Sequence, residues 1–183
     1  MVPRVAKLVT AEIALVGGSR RTFLLGDSAG GQIALSSTIW LRDNGFEQPD
    51  RIFLIAPMLD AAMTNPEIAM VEPRDPWLAR PGIAEYVRYW RGGLSIDDPL
   101  VSPLSAELTG LTALTLFTGT RDILNPDAHL LARRATAAGG VDVDFVEGEG
   151  MVHVYPPATD TRRACRAPTN RRRHQRHAPP RVV

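Results

Sequence analysis

The apolar run Phe23-Leu24-Leu25 breaks directly into Gly26-Asp27-Ser28-Ala29-Gly30-Gly31, and a helical stretch then reaches about Asn44. Few architectures accommodate a strand that turns through glycines straight into a helix with a serine at the apex. Arg21 to Leu25 reads as a buried strand because its apolar residues follow one another without alternation. A turn this sharp is expected to leave no room for side chains two residues either side of the serine, which explains glycine at 26 and 30. Ser28 itself is expected in strained backbone geometry that projects its hydroxyl outward.

The rest of the chain supplies more elements of the same kind. Val5, Leu8, Val9, Ile13 and Val16 fall at helical spacing between Pro3 and Val16, with Gly17-Gly18 as a stop signal. Arg51 to Ala56 and Ala113 to Phe117 read as buried strands, and Val141 to Phe145 alternates as a half-exposed strand would. Asp127 to Ala138 reads as a helix stopped by Gly139-Gly140, with Asp127 as its cap. Between the second and third strands lies an irregular, proline-rich stretch with one helix, roughly Gly82 to Trp90. Four strands alternating with helices predict an α/β fold with a parallel, doubly wound sheet.

Composition removes several classes. With 183 residues, 44% of them apolar, the chain can build one domain with a sizeable core. The single cysteine, Cys165, offers neither an internal disulfide nor a zinc cluster, so no metal site is expected. No apolar stretch is long enough for a membrane span or a signal peptide, which makes a cytoplasmic location the expectation. The net charge of +1 conceals two compositions. The segment from Pro156 carries eight arginines and one acidic residue, a net +7, and the remainder has a net −6. Domain boundaries are therefore expected at 1–155 for a folded unit and 156–183 for a basic, Pro/Arg-rich tail.

Ser28 is the candidate nucleophile. An unassisted hydroxyl is too weak an acid for that role at neutral pH, so a histidine must take its proton and a carboxylate must orient the histidine. His129 lies inside a predicted helix, and His174 and His177 lie in the tail. His153, in the loop after the fourth strand, is left as the candidate base. Asp122 follows the third strand, whereas Asp97 and Asp98 precede Pro99 and read as turn residues. Asp27, beside the serine, is assigned a supporting role. The Ala29 N–H, at a helix start, is placed to face a developing oxyanion. A phosphate-loop reading of the glycines fails, because neither a Gly-Lys-Ser/Thr ending nor dinucleotide-fold spacing is present.

These residues resemble the hormone-sensitive lipase family of α/β-hydrolases, with Gly-Asp-Ser-Ala-Gly-Gly as the elbow. The likeness continues through Asp97-Asp98-Pro99-Leu100-Val101-Ser102-Pro103, the Asp122 loop and Gly150-Met151-Val152-His153-Val154-Tyr155. It implies the C-terminal portion of an α/β-hydrolase fold and a serine carboxylesterase or lipase-like activity on short to medium acyl esters. The implied roles are Ser28 as nucleophile, Asp122 as orienting acid, His153 as base and acid, and the Ala29 N–H as oxyanion donor. No cofactor is implied, and the implied partner is a small-molecule ester. The His-Gly-Gly-Gly loop and N-terminal cap that the family carries before the elbow find no counterpart in Met1 to Leu25. From that come two expectations: the Arg21–Leu25 strand forms an exposed sheet edge, and the chain is alternatively a non-catalytic remnant of the same fold. After His153 the family's final helix has no counterpart either. Codons compatible with Pro157 to Arg162, read one base later, encode Leu-Leu-Pro-Ile-Pro, so the tail is expected to be disordered or frameshifted. Its arginine cluster lacks interleaved aromatics, and no specific nucleic-acid partner is expected.

Overall fold

A computed structural model describes residues 1–18, 20–155 and 181–182. The basic tail from Pro156 to Pro180, with Cys165, His174 and His177, lies outside the described residues, as does any disorder or frameshift there. Helix α1 (Val2–Val16) starts with proline in its first turn and ends where Gly17 takes a left-handed conformation, its N–H bonding Ile13 O. Its buried face is Val2, Ala6, Val9 and Ile13. Leu8, expected in that face, points outward and is exposed.

Strand β1 (Thr22–Asp27) passes through Ser28 into helix α2 (Ala29–Asp43), and β2 (Arg51–Ile55) follows. The excursion after β2 holds α3 (Ile68–Val71), a 3₁₀ turn at Glu72–Arg74, α4 (Arg80–Trp90) and a second 3₁₀ turn at Pro103–Ser105. Strand β3 (Ala113–Gly119), helix α5 (Asn125–Ala137) and strand β4 (Val143–Gly148) complete the main body. Every strand pairing is parallel, and the order is β4-β3-β2-β1-β5, where β5 is Arg181–Val182. That two-residue strand was not expected. It pairs with Thr22 and Phe23, and among the described residues Leu24–Asp27 have no strand on that side. The predicted open edge is therefore covered at one end only.

The parallel α/β sheet is as expected, with one difference in its layers. β1, β2, β3 and β4 lie side by side in chain order, so right-handed crossovers carry α2 and α5 to the same face, whereas α3 and α4 pack in a separate cluster with Met58, Ile123 and Leu124. α1, α2 and α5 share one apolar cluster with Leu24, Ile52, Leu54, Leu114 and Leu116. The opposite sheet face carries Phe23, Phe53, Ile55 and Phe117, with no described helix in their cluster. The second helical layer of a doubly wound sheet is thus not among the described residues. No helix among them is long and apolar enough to cross a membrane.

At the other end of the sheet from Ser28, the Arg51 guanidinium joins three strands. Nη1 donates to Leu114 O at 3.3 Å, Thr115 Oγ1 at 3.0 Å and Asp144 Oδ2 at 2.8 Å, and Nη2 donates to Asp142. The arginine is mostly buried, but both carboxylates are half-exposed, so solvent screens them. Arg51→Met is expected to cost about 1–2 kcal/mol, mainly through the hydrogen bonds to Thr115 Oγ1 and the two carboxylates that it removes. An unchanged urea midpoint would show that this clamp adds nothing to stability.

Candidate active site

Ser28 stands at φ 52°, ψ −118°, outside the regions L-residues prefer. Three surrounding bonds hold it there: its N–H donates to Ile55 O at 2.9 Å, and its carbonyl accepts from Met58 N at 3.1 Å and Gln32 N at 3.2 Å. Ala56 and Val154 also have positive φ, so three of the four such non-glycine residues cluster at the carboxyl end of the sheet.

The glycine requirement is only half as expected. A Cβ on Gly26 would lie 2.2 Å from Gly30 O, so the turn does demand glycine there. A Cβ on Gly30 would meet only Asp27 Oδ1, at 3.7 Å, an ordinary contact. The crowded position is Gly31, whose Cβ would come within 2.8 Å of the Pro57 ring. The first turn of α2 packs against the end of β2 there, one residue later than the elbow pattern suggests.

Two loops bring the other candidates to the serine. The loop after β3 is closed by Asp122 N donating to Gly119 O at 3.1 Å, and it starts α5 through Asn125 N donating to Asp122 O at 2.9 Å. The loop after β4 is clasped to it: Thr120 N donates to Gly148 O, Arg121 N to Met151 O, and Gly150 N to Thr120 Oγ1 at 2.8 Å. Gly119 permits this approach, because a Cβ there would sit 2.3 Å from Met151 O.

The result is a continuous polar chain. Ser28 Oγ lies 2.9 Å from His153 Nε2, and His153 Nδ1 lies 3.0 Å from Asp122 Oδ2. Asp122 is fully buried and His153 nearly so, and the second carboxylate oxygen accepts the Leu124 N–H at 2.9 Å. A carboxylate can only accept, so His153 Nδ1 carries the proton in the neutral ring, and Nε2 is left to accept the serine O–H. All three side chains singled out from sequence meet. Ala29 is the first residue of α2, so its N–H has no acceptor one turn earlier in the helix.

The remaining candidates separate from this chain. His129 bonds Glu147 Oε1 at 2.6 Å and packs on Phe145, as a partnered surface histidine does. Glu147 also accepts from Asn125 Nδ2 at 2.8 Å; burial raises its pKa, but the bonds from Asn125 and His129 together with the His129 charge leave it lowered. Asp97 and Asp98 make turns, the latter accepting the Leu100 N–H at 2.8 Å. Gln32 and Ser36 pin this turn to α2 through Leu100 O and Pro99 O. Asp27 points outward from the edge strand and makes no side-chain hydrogen bond among the described residues, so nothing supports the role assigned to it. Asp127 does not cap α5 either. The N-cap is Leu124, and Asp127 is the third residue of the helix, fully buried, with Oδ1 accepting from Asn65 Nδ2 at 3.0 Å and Oδ2 unpartnered. Burial pushes its pKa up to about 6; the Asn65 bond opposes that rise and the Asp60 charge adds to it.

Beside Ser28 opens a cleft of about 280 Å³. Met58, Ile83 and Leu124 are buried and form its floor, whereas Trp77 and Tyr86 are exposed at its rim. Asp75 holds the rim in place, accepting from Trp77 N and Leu78 N through Oδ1 and from Ile123 N through Oδ2, which ties the wall to the Asp122 loop. None of these residues was singled out from sequence. Met58 and Leu124 follow the carboxyl ends of β2 and β3, where open α/β sheets bind ligands, and that rule was the available signal. Nothing in the proline-rich stretch marked Trp77 or Tyr86. Among the described residues no acidic, histidine or cysteine cluster could hold a metal ion.

A family model described as the α/β hydrolase fold matches residues 4–157. Among curated proteins, the chain is 30% identical over 153 residues to a triacylglycerol lipase of Mycobacterium tuberculosis, covering 84% of this chain and 30% of that protein. It is 32% identical over 135 residues to an acetyl-hydrolase of Streptomyces hygroscopicus, covering 74% of this chain and 45% of that protein. A crystal structure of a hormone-sensitive lipase from a metagenome library superimposes with a TM-score of 0.78 at 28% identity, over 84% of this chain and 52% of that one. The chain thus spans less than half the length of these two curated relatives.

Proposed function

Because the chain belongs to the α/β-hydrolase fold family, with hormone-sensitive-lipase-like relatives, we propose that it is a carboxylic ester hydrolase acting through Ser28, His153 and Asp122. The observation that carries this reading is the chain of contacts at 2.9 and 3.0 Å that begins at a strained serine and ends at a buried carboxylate. His153 Nε2 takes the Ser28 proton as Oγ bonds the ester carbonyl carbon, giving a tetrahedral oxyanion. The Ala29 N–H and the positive end of α2 face that negative charge. The intermediate collapses with loss of the alcohol, which receives the proton from His153, and leaves an acyl group on Ser28. Water then attacks the acyl carbonyl, gives its proton to His153, and the acid leaves as Ser28 recovers its hydrogen.

Asp122 acts through His153, fixing the tautomer and offsetting the charge the ring gains. The cleft favours short to medium aliphatic esters, since its floor is apolar and its volume is at the small end for ligand pockets. The direct test is covalent. Diethyl p-nitrophenyl phosphate should transfer one phosphoryl group per chain, located at Ser28 by peptide mass analysis, and Ser28→Ala should take up none. Labelling elsewhere, or equal labelling of both proteins, would overturn the assignment of the nucleophile.

A further inference from the structure

We propose, on the footing of the ester-hydrolase reading above, that Gly82 is a specificity-determining residue: it leaves a notch in the α4 wall of the cleft, and that notch sets the length of aliphatic arm the ester can carry. Gly82 sits in the first turn of α4 in ordinary helical backbone, so no left-handed conformation calls for glycine. No packing demand calls for it either, because a Cβ built there meets no atom within 4 Å. It differs in this from Gly26, Gly31, Gly119 and Gly148, where a Cβ would meet another atom at 2.8 Å or less. Glycine within a helix is less stable than alanine there, so a glycine that neither backbone nor neighbours require calls for another explanation.

Its position supplies one. Gly82 lines the same cleft as Ser28, beside the buried Ile83 and one turn before Tyr86 on the same helix face. Trp77 and Tyr86, 68% and 43% exposed, stand at the rim, and of the α4 residues lining the cleft, Gly82, Ile83 and Tyr86, Gly82 has no side chain. An aliphatic chain leaving the ester carbonyl at Ser28 gains apolar contact with Met58 and Leu124 and then passes this notch. A leucine at 82 would occupy the space those further carbons need.

Two ester series decide whether the arm is acyl or alkoxyl. Specificity constants kcat/KM are measured for p-nitrophenyl acetate to octanoate and for ethyl to octyl acetate, with the natural chain and Gly82→Leu. Each methylene buried in the cleft contributes about fourfold to kcat/KM. Gly82→Leu is expected to lower the ratio of the longest to the shortest ester by tenfold or more in one series, and that series identifies the arm. A ratio unchanged in both, or an equal loss at every length, overturns the notch. If no ester is hydrolysed faster by the natural chain than by Ser28→Ala, the hydrolase reading fails separately. The notch is then judged by titrating octanoate and octanol into Ser28→Ala and following tryptophan emission. Binding of one of them at least tenfold tighter than to Ser28→Ala/Gly82→Leu supports the notch, and equal binding of both overturns it. Gly82→Ala is expected to raise Tm by about 2–4 °C; a lowered Tm would mean the glycine is structural after all.

Discussion

Ser28→Ala is expected to lower kcat for p-nitrophenyl butyrate by about 10⁴-fold or more, with KM changed little, because the hydroxyl is small beside the apolar cleft that binds the ester. The size of the loss follows from how tightly the three groups depend on one another. His153 Nε2 accepts only because Nδ1 is committed to Asp122, and the serine is nucleophilic only because Nε2 accepts. Removing Ser28 leaves His153 with no proton to take, and removing His153 leaves Ser28 an ordinary alcohol. His153→Ala is therefore expected to match Ser28→Ala, and the double variant is expected to be no slower than either single one. Asp122→Asn should fall in the same range, since an amide can donate to Nδ1 and favour the wrong tautomer. Losses that multiply in the double variant, or a Ser28→Ala rate within tenfold of the original, would rule out a linked nucleophile, base and orienting acid. Steady-state release of p-nitrophenolate measures all four.

The main sheet was legible because its strands are short apolar runs bounded by glycine, proline or polar residues. Burial on both faces removes the need for alternation, and Ile52-Phe53-Leu54-Ile55 records that directly. Elements without such a signature were missed. α3 has four residues and the two 3₁₀ turns three each, too few for any period to show. β5 has only two residues, within a segment whose composition argues against a strand. The helical layers depend on strand order, which the element sequence does not fix. A sheet in simple chain order places α2 and α5 on one face, whereas a reversal of order would have split them.

In the site, the residues that hydrogen-bond in sequence-defined loops were legible, and those whose role depends on distant packing were not. Ser28, Asp122 and His153 each follow a strand end, so the parallel sheet brings them to one edge whatever else varies. Gly30 and Gly31 show the limit of motif reading. The pattern marks the first as obligatory, yet the Pro57 ring, 26 residues away in sequence, makes the second so. The walls of the cleft come from α4 and the segment before it, whose position depends on Asp75 reaching Ile123 N and is not recoverable from local pattern.

An aspartate near a helix start usually caps it and stabilises the fold, but burial of Asp127 reverses the energetic consequence. In the fold its pKa is raised from 3.8 to about 6, chiefly by burial. The folded chain therefore holds this proton more tightly than the unfolded chain. Well below pH 4 both states are protonated and the group costs nothing. As pH rises from about 4 to 6 the unfolded chain ionises first, and stability falls until both states are ionised. The shift of about two units corresponds to roughly 3 kcal/mol lost by pH 7. The favourable field at the first turn of α5, about 0.3–1 kcal/mol, is too small to offset this. Asp127→Asn keeps an oxygen for Asn65 and puts an N–H where Oδ2 has no partner, with the Asp60 charge nearby. The variant is expected to be more stable by about 2–3 kcal/mol at pH 8 and nearly unchanged at about pH 3, read from urea midpoints at both. An equal effect at the two pH values would mean that ionisation of Asp127 is not the cause. Loss of stability at pH 8 would mean that the charge itself holds Asn65, and with it the segment from Met58 that floors the cleft, against α5.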